Sequence, residues 1–211
     1  MILKYLNLLE NKMFIAVEGI DGSGKSTTIK ELQKYLTNKG HNVLLTAEPT
    51  DMPTGKLIRE VLAKKDEDAP LTHEMLALMF ATDRLNHLRE RIWPALREKK
   101  TVITDRYFFS SIAYQSVNVS YEWVKGINRF ATMPDVLVFI DVSIEKALER
   151  LAIFRKDKEL YETREYLEQI KKNYELVIED FKDHLKIVHL NGELKMDEIY
   201  SDIENKLEGV L

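Results

Sequence analysis

The sequence predicts an α/β protein of three layers, a central parallel sheet with helices on both faces. Three observations carry that reading. Short, nearly all-apolar runs recur, such as Phe14-Ile15-Ala16-Val17 and Val136-Leu137-Val138-Phe139-Ile140, and strands covered on both faces have that composition. Longer stretches between them place apolar residues at helical spacing, as with Ile29, Leu32 and Leu36. Strand and helix patterns alternate along the chain, which is how parallel strands are connected.

Taken in order, Met13 to Val17 reads as the first strand, and a helix begins near Lys25 with Lys30, Glu31, Gln33 and Lys34 between its apolar positions. Asn42 to Ala47 reads as the second strand, ahead of the turn-rich stretch Glu48-Pro49-Thr50-Asp51-Met52-Pro53-Thr54-Gly55. From Thr54, Leu57, Ile58, Val61 and Leu62 form an apolar helical face that Asp66 to Pro70 interrupts. Thr72 to Leu96 carries Leu76, Met79, Phe80, Leu85, Leu88 and Ile92 at helical spacing, with Pro94 marking a kink or boundary. Thr101 to Thr104 is the third strand, Asp135 to Ile140 the fourth, and Ser143 to Leu151 is helical. A long helix from Arg164 to Phe181 offers Leu167, Ile170, Tyr174 and Val177 for packing. Lys182 to Leu190 contains the last strand candidate, and a terminal helix starts at Met196. With no repeat and no linker composition, residues 13–211 read as one domain preceded by an arm, Met1 to Lys12.

Composition narrows the partners. Lys and Arg total 31 against 35 Asp and Glu, a formal charge of -4, so a broad nucleic-acid-binding surface is not expected and a small anionic substrate fits better. The absence of cysteine excludes disulfides and thiolate catalysis. No apolar run reaches the roughly 20 residues of a membrane span. The opening dozen residues show no cleavage-site or arginine-rich targeting pattern, so a cytoplasmic location is the expectation.

Between the first strand and the first helix stands Gly19-Ile20-Asp21-Gly22-Ser23-Gly24-Lys25-Ser26-Thr27, a full match to the phosphate-binding P-loop, G-x-x-x-x-G-K-[ST]. Its glycines let successive backbone N–H groups converge on phosphate oxygens, and the helix beginning at Lys25 adds its positive end. In such a loop Lys25 reaches the β and γ phosphates and Ser26 places its hydroxyl on Mg²⁺. The loop alone admits many kinases and GTPases.

A second constellation follows the third strand. Asp105 and Arg106 stand at the ligand-bearing end of a parallel sheet. There Asp105 suits Mg²⁺ or its water shell, and Arg106 has the planar donor fork for an acceptor phosphate. Ser110 to Gln115 offers hydroxyl and amide groups for a polar acceptor. Phe80 and Arg84 are four apart, hence on one helical face, where a ring could stack on a base and a guanidinium could donate to a carbonyl.

With those residues in place the chain closely resembles the thymidylate kinases among the P-loop nucleoside-monophosphate kinases. The resemblance rests on Phe14 to Thr27, Glu48-Pro49, Met79-Phe80-Ala81-Thr82-Asp83-Arg84 and Asp105 to Gln115, and spans about Met13 to Leu207. It implies transfer of the ATP γ-phosphoryl group to dTMP with Mg²⁺, and a homodimer packed through long helices. It also implies that Phe80 stacks on thymine, Arg84 reads its carbonyl edge, Gln115 bonds the pyrimidine, Arg106 binds the monophosphate, Ser111 and Tyr114 line the acceptor pocket, and Asp21 contacts the acceptor sugar or its phosphate surroundings. Glu18 is open between a contact to the Mg²⁺ water shell and a structural role.

The basic group Arg150, Arg155, Lys156 and Lys158 is expected in a mobile lid over residues 150–161, with Arg150 and Arg155 stabilising the transferring group. Gly22 stands where another branch of the family has an arginine, which leaves the lid as the arginine source. Two departures stand out. Ala47 replaces the arginine that bacterial relatives carry before Glu-Pro, with Arg59 or Lys56 as candidate substitutes, and Lys158 stands where arginine is common. Outside this resemblance the alternatives are another deoxynucleoside or pyrimidine nucleoside-monophosphate kinase, or a nucleotide-dependent switch.

Overall fold

The computed structural model describes residues 12–63, 71–154 and 163–208. Five strands, β1 (Phe14–Glu18), β2 (Val43–Ala47), β3 (Thr101–Asp105), β4 (Val136–Asp141) and β5 (Lys186–Asn191), form one parallel sheet in the order β2-β3-β1-β4-β5. β1 is therefore central, with Ala16 opposite Thr104 on one side and Leu137 on the other.

The alternation of side chains along β1 feeds two cores. Phe14 and Ala16 pack on one face with Leu137 and Phe139, under Phe109, Ile112, Leu167 and Tyr174. Ile15 and Val17 pack on the other with Val138 and Ile140, under Leu32, Leu36, Ile203 and Leu207. Both faces are apolar because helices cover both. The second face is covered by α1 (Lys25–Asn38) and α9 (Met196–Leu207). Among the described residues the remaining helices are α2 (Pro53–Leu62), α3 (His73–His87), α4 (Trp93–Arg97), α5 (Phe108–Gln115), α6 (Tyr121–Ile127), α7 (Ile144–Phe154) and α8 (Arg164–Phe181).

Three features go beyond the sequence expectation. The long helix around Pro94 continues through a π-helical turn, Leu88–Ile92, in which the Trp93 N–H donates to the Leu88 carbonyl five residues back. That turn stands directly before Pro94, which has no N–H to contribute. The short helices α5 and α6 carry no legible period. Phe108 to Ala113 are all buried, so α5 has no polar stripe, and α6 buries only Val124. Within the segment from Lys182 to Leu190 the last strand itself starts at Lys186, because α8 closes in a turn where the His184 N–H meets the Phe181 carbonyl at 3.0 Å. Among the described residues, no helix is long and apolar enough to cross a membrane.

Candidate active site

The site lies at the carboxyl ends of β1 and β3. Gly19, Gly22 and Gly24 adopt φ of 150°, 78° and 96°, and the last two lie in the left-handed region open to glycine. Gly24 ends the loop as the N-cap of α1, so no carbonyl within the helix faces the first N–H groups after it. Lys25 folds back into the loop, and its Nζ donates to the carbonyls of Gly19 at 3.0 Å and Ile20 at 2.9 Å. Burial first, and the positive charge of Arg106 second, lower its pKa from 10.5 to about 8.

Arg106 sits at φ 66°, which a non-glycine residue adopts only when its surroundings hold it there. Its N–H donates to the Val17 carbonyl at 3.0 Å and its own carbonyl accepts from Thr104 Oγ1 at 2.8 Å. The guanidinium meets Asp21 Oδ1 at 2.5 Å, Ser110 Oγ at 3.0 Å and the Tyr114 hydroxyl at 3.1 Å. Asp21 and Arg106 were not paired by the sequence reading. Asp105, Arg106's neighbour, instead keeps its buried Oδ1 without a hydrogen-bond partner among the described residues.

Glu18 is fully buried and accepts from the N–H of Tyr107 at 2.7 Å, the N–H of Ser110 at 3.2 Å, the Tyr174 hydroxyl at 2.8 Å and the Ser110 hydroxyl. Burial pushes its pKa above 4.5 against those hydrogen bonds and the charge of Arg106. With both oxygens so engaged, Glu18 takes the structural role. It ties β1 to the start of α5 and, through Tyr174, to α8.

A cavity of about 200 Å³ opens beside Arg106, lined by Asp21, Phe80, Arg84, Ser111, Tyr114 and Gln115 among others. The six residues come from the glycine loop, α3 and α5. Phe80 is half-buried on the wall. Gln115 Oε1 is buried with no hydrogen-bond partner among the described residues. Arg84 is 1% exposed. It donates from Nε to Glu48 Oε2 at 2.9 Å, from Nη2 to Ser111 Oγ at 2.9 Å and from Nη1 to Asn128 Oδ1. Nη2 also lies 2.7 Å from Glu48 Oε2, so these partners engage four of the five donors of a guanidinium and leave one, on Nη1, for a ligand.

Sequence reasoning missed four members of this site. Glu48 and Asn128 hold Arg84 from distant parts of the chain, and nothing in the sequence pairs them with it. Asp83 accepts from the N–H and hydroxyl of Thr50, both at 2.7 Å, and fixes the loop after β2. Tyr174 looked like a packing residue from its spacing alone. The two substitutes for the arginine absent at Ala47 do not line the cavity. Arg59 Nη1 donates to the Thr50 carbonyl at 2.5 Å and Nη2 to the Pro49 carbonyl, and Lys56 is exposed.

On the donor side, α7 runs to Phe154, so Arg150 is a helix residue whose Nη1 donates to the carbonyls of Gly22 at 3.3 Å and Ser23 at 3.2 Å. Arg155, Lys156 and Lys158 lie outside the described residues, as do 1–11 of the expected arm. Ser26 is exposed at the loop mouth. Asp105 stands close enough to Lys25 for its charge to oppose part of the lowering that burial and Arg106 impose. A hydroxyl and a carboxylate, with a backbone loop bent at three positive-φ glycines, make an oxygen donor set and phosphate cradle that fit a nucleotide with Mg²⁺.

The chain matches the family model described as Thymidylate kinase over residues 17–203. It is 37% identical over 198 residues to a "Probable thymidylate kinase" of Thermococcus kodakarensis, covering 91% of this chain and 92% of that protein. A protein of the same name from Methanococcus aeolicus is 41% identical over 198 residues, covering 92% and 95%. Another from Methanocaldococcus jannaschii is 36% identical over 204 residues, covering 95% and 98%.

Proposed function

The chain belongs to the thymidylate kinase family, and from that premise we propose that it phosphorylates dTMP at the cavity beside Arg106, with ATP as donor and Mg²⁺ on the donor phosphates. The observation that carries the reading is the cavity itself. Phe80, Arg84 and Gln115 line it with a ring, a donor and an acceptor, and Arg106, bonded to Asp21 of the P-loop, lines it with a phosphate-binding fork.

Each residue then has a defined task. The N–H groups from Gly19 to Thr27 and Lys25 hold the donor phosphates. Ser26 and, indirectly, Asp105 would hold Mg²⁺, which when bound would neutralise charge on the phosphate oxygens. Arg106 orients the acceptor phosphate and Asp21 fixes Arg106. Ser111 and Tyr114 shape the sugar side of the pocket, and Arg150, with Arg155, stabilises the transferring group. The acceptor phosphate is itself the nucleophile, so positioning and charge stabilisation account for the catalysis and no covalent enzyme intermediate is needed. ATP as donor agrees with the cytoplasmic location expected from the sequence.

A homodimer fits the same reading. Met75, Leu78 and Leu85 are exposed along one side of α3, with Leu57 exposed on α2, an apolar surface between long helices. Sedimentation at micromolar concentration tests it, and a strictly monomeric species opposes it.

The activity is tested by Mg²⁺-dependent ADP formation from ATP with dTMP, thymidine, dUMP, dCMP, dGMP or no acceptor, with the product identified. dTMP-dependent formation of dTDP is the expected result. Nucleotide hydrolysis indifferent to dTMP would favour a switch and leave the cavity unexplained.

A further inference from the structure

Arg84 is held by a chain of buried polar groups that reaches the edge of the sheet. Its Nε and Nη2 lie 2.9 Å and 2.7 Å from the same oxygen of Glu48, Oε2. The other oxygen, Oε1, is 3.0 Å from His87 Nδ1, and His87 Nε2 is 2.6 Å from the hydroxyl of Thr46 on β2. His87 is 0% exposed and Glu48 6%. Arg84 and His87 are three apart on α3, hence on one face of it, and Glu48 takes one of its oxygens to each.

The direction of the bonds follows from the chemistry. An ionised carboxylate only accepts, so His87 Nδ1 carries the proton that faces Glu48. In a neutral ring Nε2 then accepts from the Thr46 hydroxyl. Thr46 therefore fixes His87, His87 fixes the rotation of the Glu48 carboxylate, and that carboxylate fixes the tilt of the guanidinium. Ser111 and Asn128 restrain the opposite edge of Arg84 but do not touch Glu48 or His87 through any of these bonds.

We infer that His87 is a specificity-determining positioning residue: through Glu48 it sets the tilt of Arg84, and so the preference for a carbonyl over an amino group at the 4-position of the pyrimidine. This rests on the reading that Arg84 faces the base. A guanidinium has donors only, so it matches the thymine oxygen and is mismatched to the cytosine amino group, and the discrimination depends on where the N–H groups point. Without His87, Oε1 of Glu48 loses its partner in a buried site and the carboxylate is free to turn.

The test compares kcat/KM for dTMP and dCMP, with ATP and Mg²⁺, in the wild-type protein and in Arg84→Met, His87→Leu, His87→Asn and Thr46→Val. His87→Leu is expected to lower the dTMP-to-dCMP ratio about tenfold, and His87→Asn, whose amide nitrogen can stand in for Nδ1, to keep it within about twofold. A ratio unchanged in His87→Leu, with Arg84→Met lowering it, overturns the role of His87 while leaving the base contact of Arg84 intact. A ratio unchanged in Arg84→Met, which removes the donors, overturns the base contact and this inference together. Should His87→Leu not fold, Thr46→Val cuts the outer end of the same chain, and an unchanged ratio there overturns the inference.

Discussion

Asp21 and Arg106 meet at 2.5 Å, one from the glycine loop after β1 and the other from the end of β3, 85 residues apart in the chain. The contact joins the loop proposed to hold the donor phosphates to the cation proposed to hold the acceptor. Arg106 is also anchored by Ser110 and Tyr114, so its fork is in place before a ligand arrives, and preorganised donors of this kind lower a barrier without reorganising during reaction.

Arg106→Lys tests that arrangement while keeping the charge. An ammonium is a point donor that cannot reproduce a planar fork shared between Asp21 and a phosphate. The expected result is a loss of about 100-fold in kcat/KM for dTMP, the scale seen when one preorganised donor is removed. Steady-state kinetics check it, and a change below about threefold would remove Arg106 from phosphate binding.

Lys25 makes a pH prediction. Its pKa is lowered from 10.5 to about 8 by burial and by Arg106. The folded protein therefore binds fewer protons than the unfolded chain between those values, and the contribution of Lys25 to stability rises with pH across that window. Bound phosphate favours the charged form and pulls the pKa back up, so ATP binding takes up a proton at about pH 9. Calorimetry in buffers of different ionisation enthalpy should detect that uptake in the wild type and not in Lys25→Met. Between about pH 8 and 10 the ligand-free wild type should gain Tm relative to the same variant.

The order of strands and helices was legible because β1 and β4 are buried on both faces and therefore mostly apolar, and because α1 and α8 keep a polar stripe. The loop was legible because its backbone geometry requires glycine at Gly22 and Gly24. The pocket was legible only in part. Spacing puts Phe80 and Arg84 on one helical face, but the partners of Arg84 lie 36 and 44 residues away, at Glu48 and Asn128. Such pairings depend on how the elements pack, which no local pattern encodes. The same is true of Arg59, which the sequence offers as a phosphate ligand and the fold spends on the carbonyls of its own loop.

The two left-handed glycines of the loop should differ in their tolerance. A Cβ on Gly22 would stand 2.4 Å from the Ala147 carbonyl oxygen, part of the α7 backbone, whereas one on Gly24 would meet only Arg150 Nη1, at 3.4 Å. Both substitutions strain a positive φ, at about 1–2 kcal/mol. Gly22→Ala must also displace the helix that carries Arg150. Its ATP affinity should fall about tenfold further than that of Gly24→Ala, the cost of moving packed backbone. Equal losses would mean that α7 yields freely.

Gln115 separates ligand binding from folding. Its Oε1 is buried without a partner among the described residues and belongs to the wall of the cavity. A buried acceptor left unsatisfied costs the fold about 1–3 kcal/mol, a cost that a pyrimidine N–H can relieve. Gln115→Leu removes the acceptor and fills a similar volume. Ligand-free protein should therefore melt about 2–4 °C higher, the shift expected per kcal/mol for a domain of this size, while KM for dTMP rises about tenfold through loss of the base contact. Calorimetry and kinetics on the same preparation distinguish the two effects. A lower Tm with unchanged KM would instead make Gln115 part of the scaffold, and the base would have to be recognised by Arg84 and Phe80 alone.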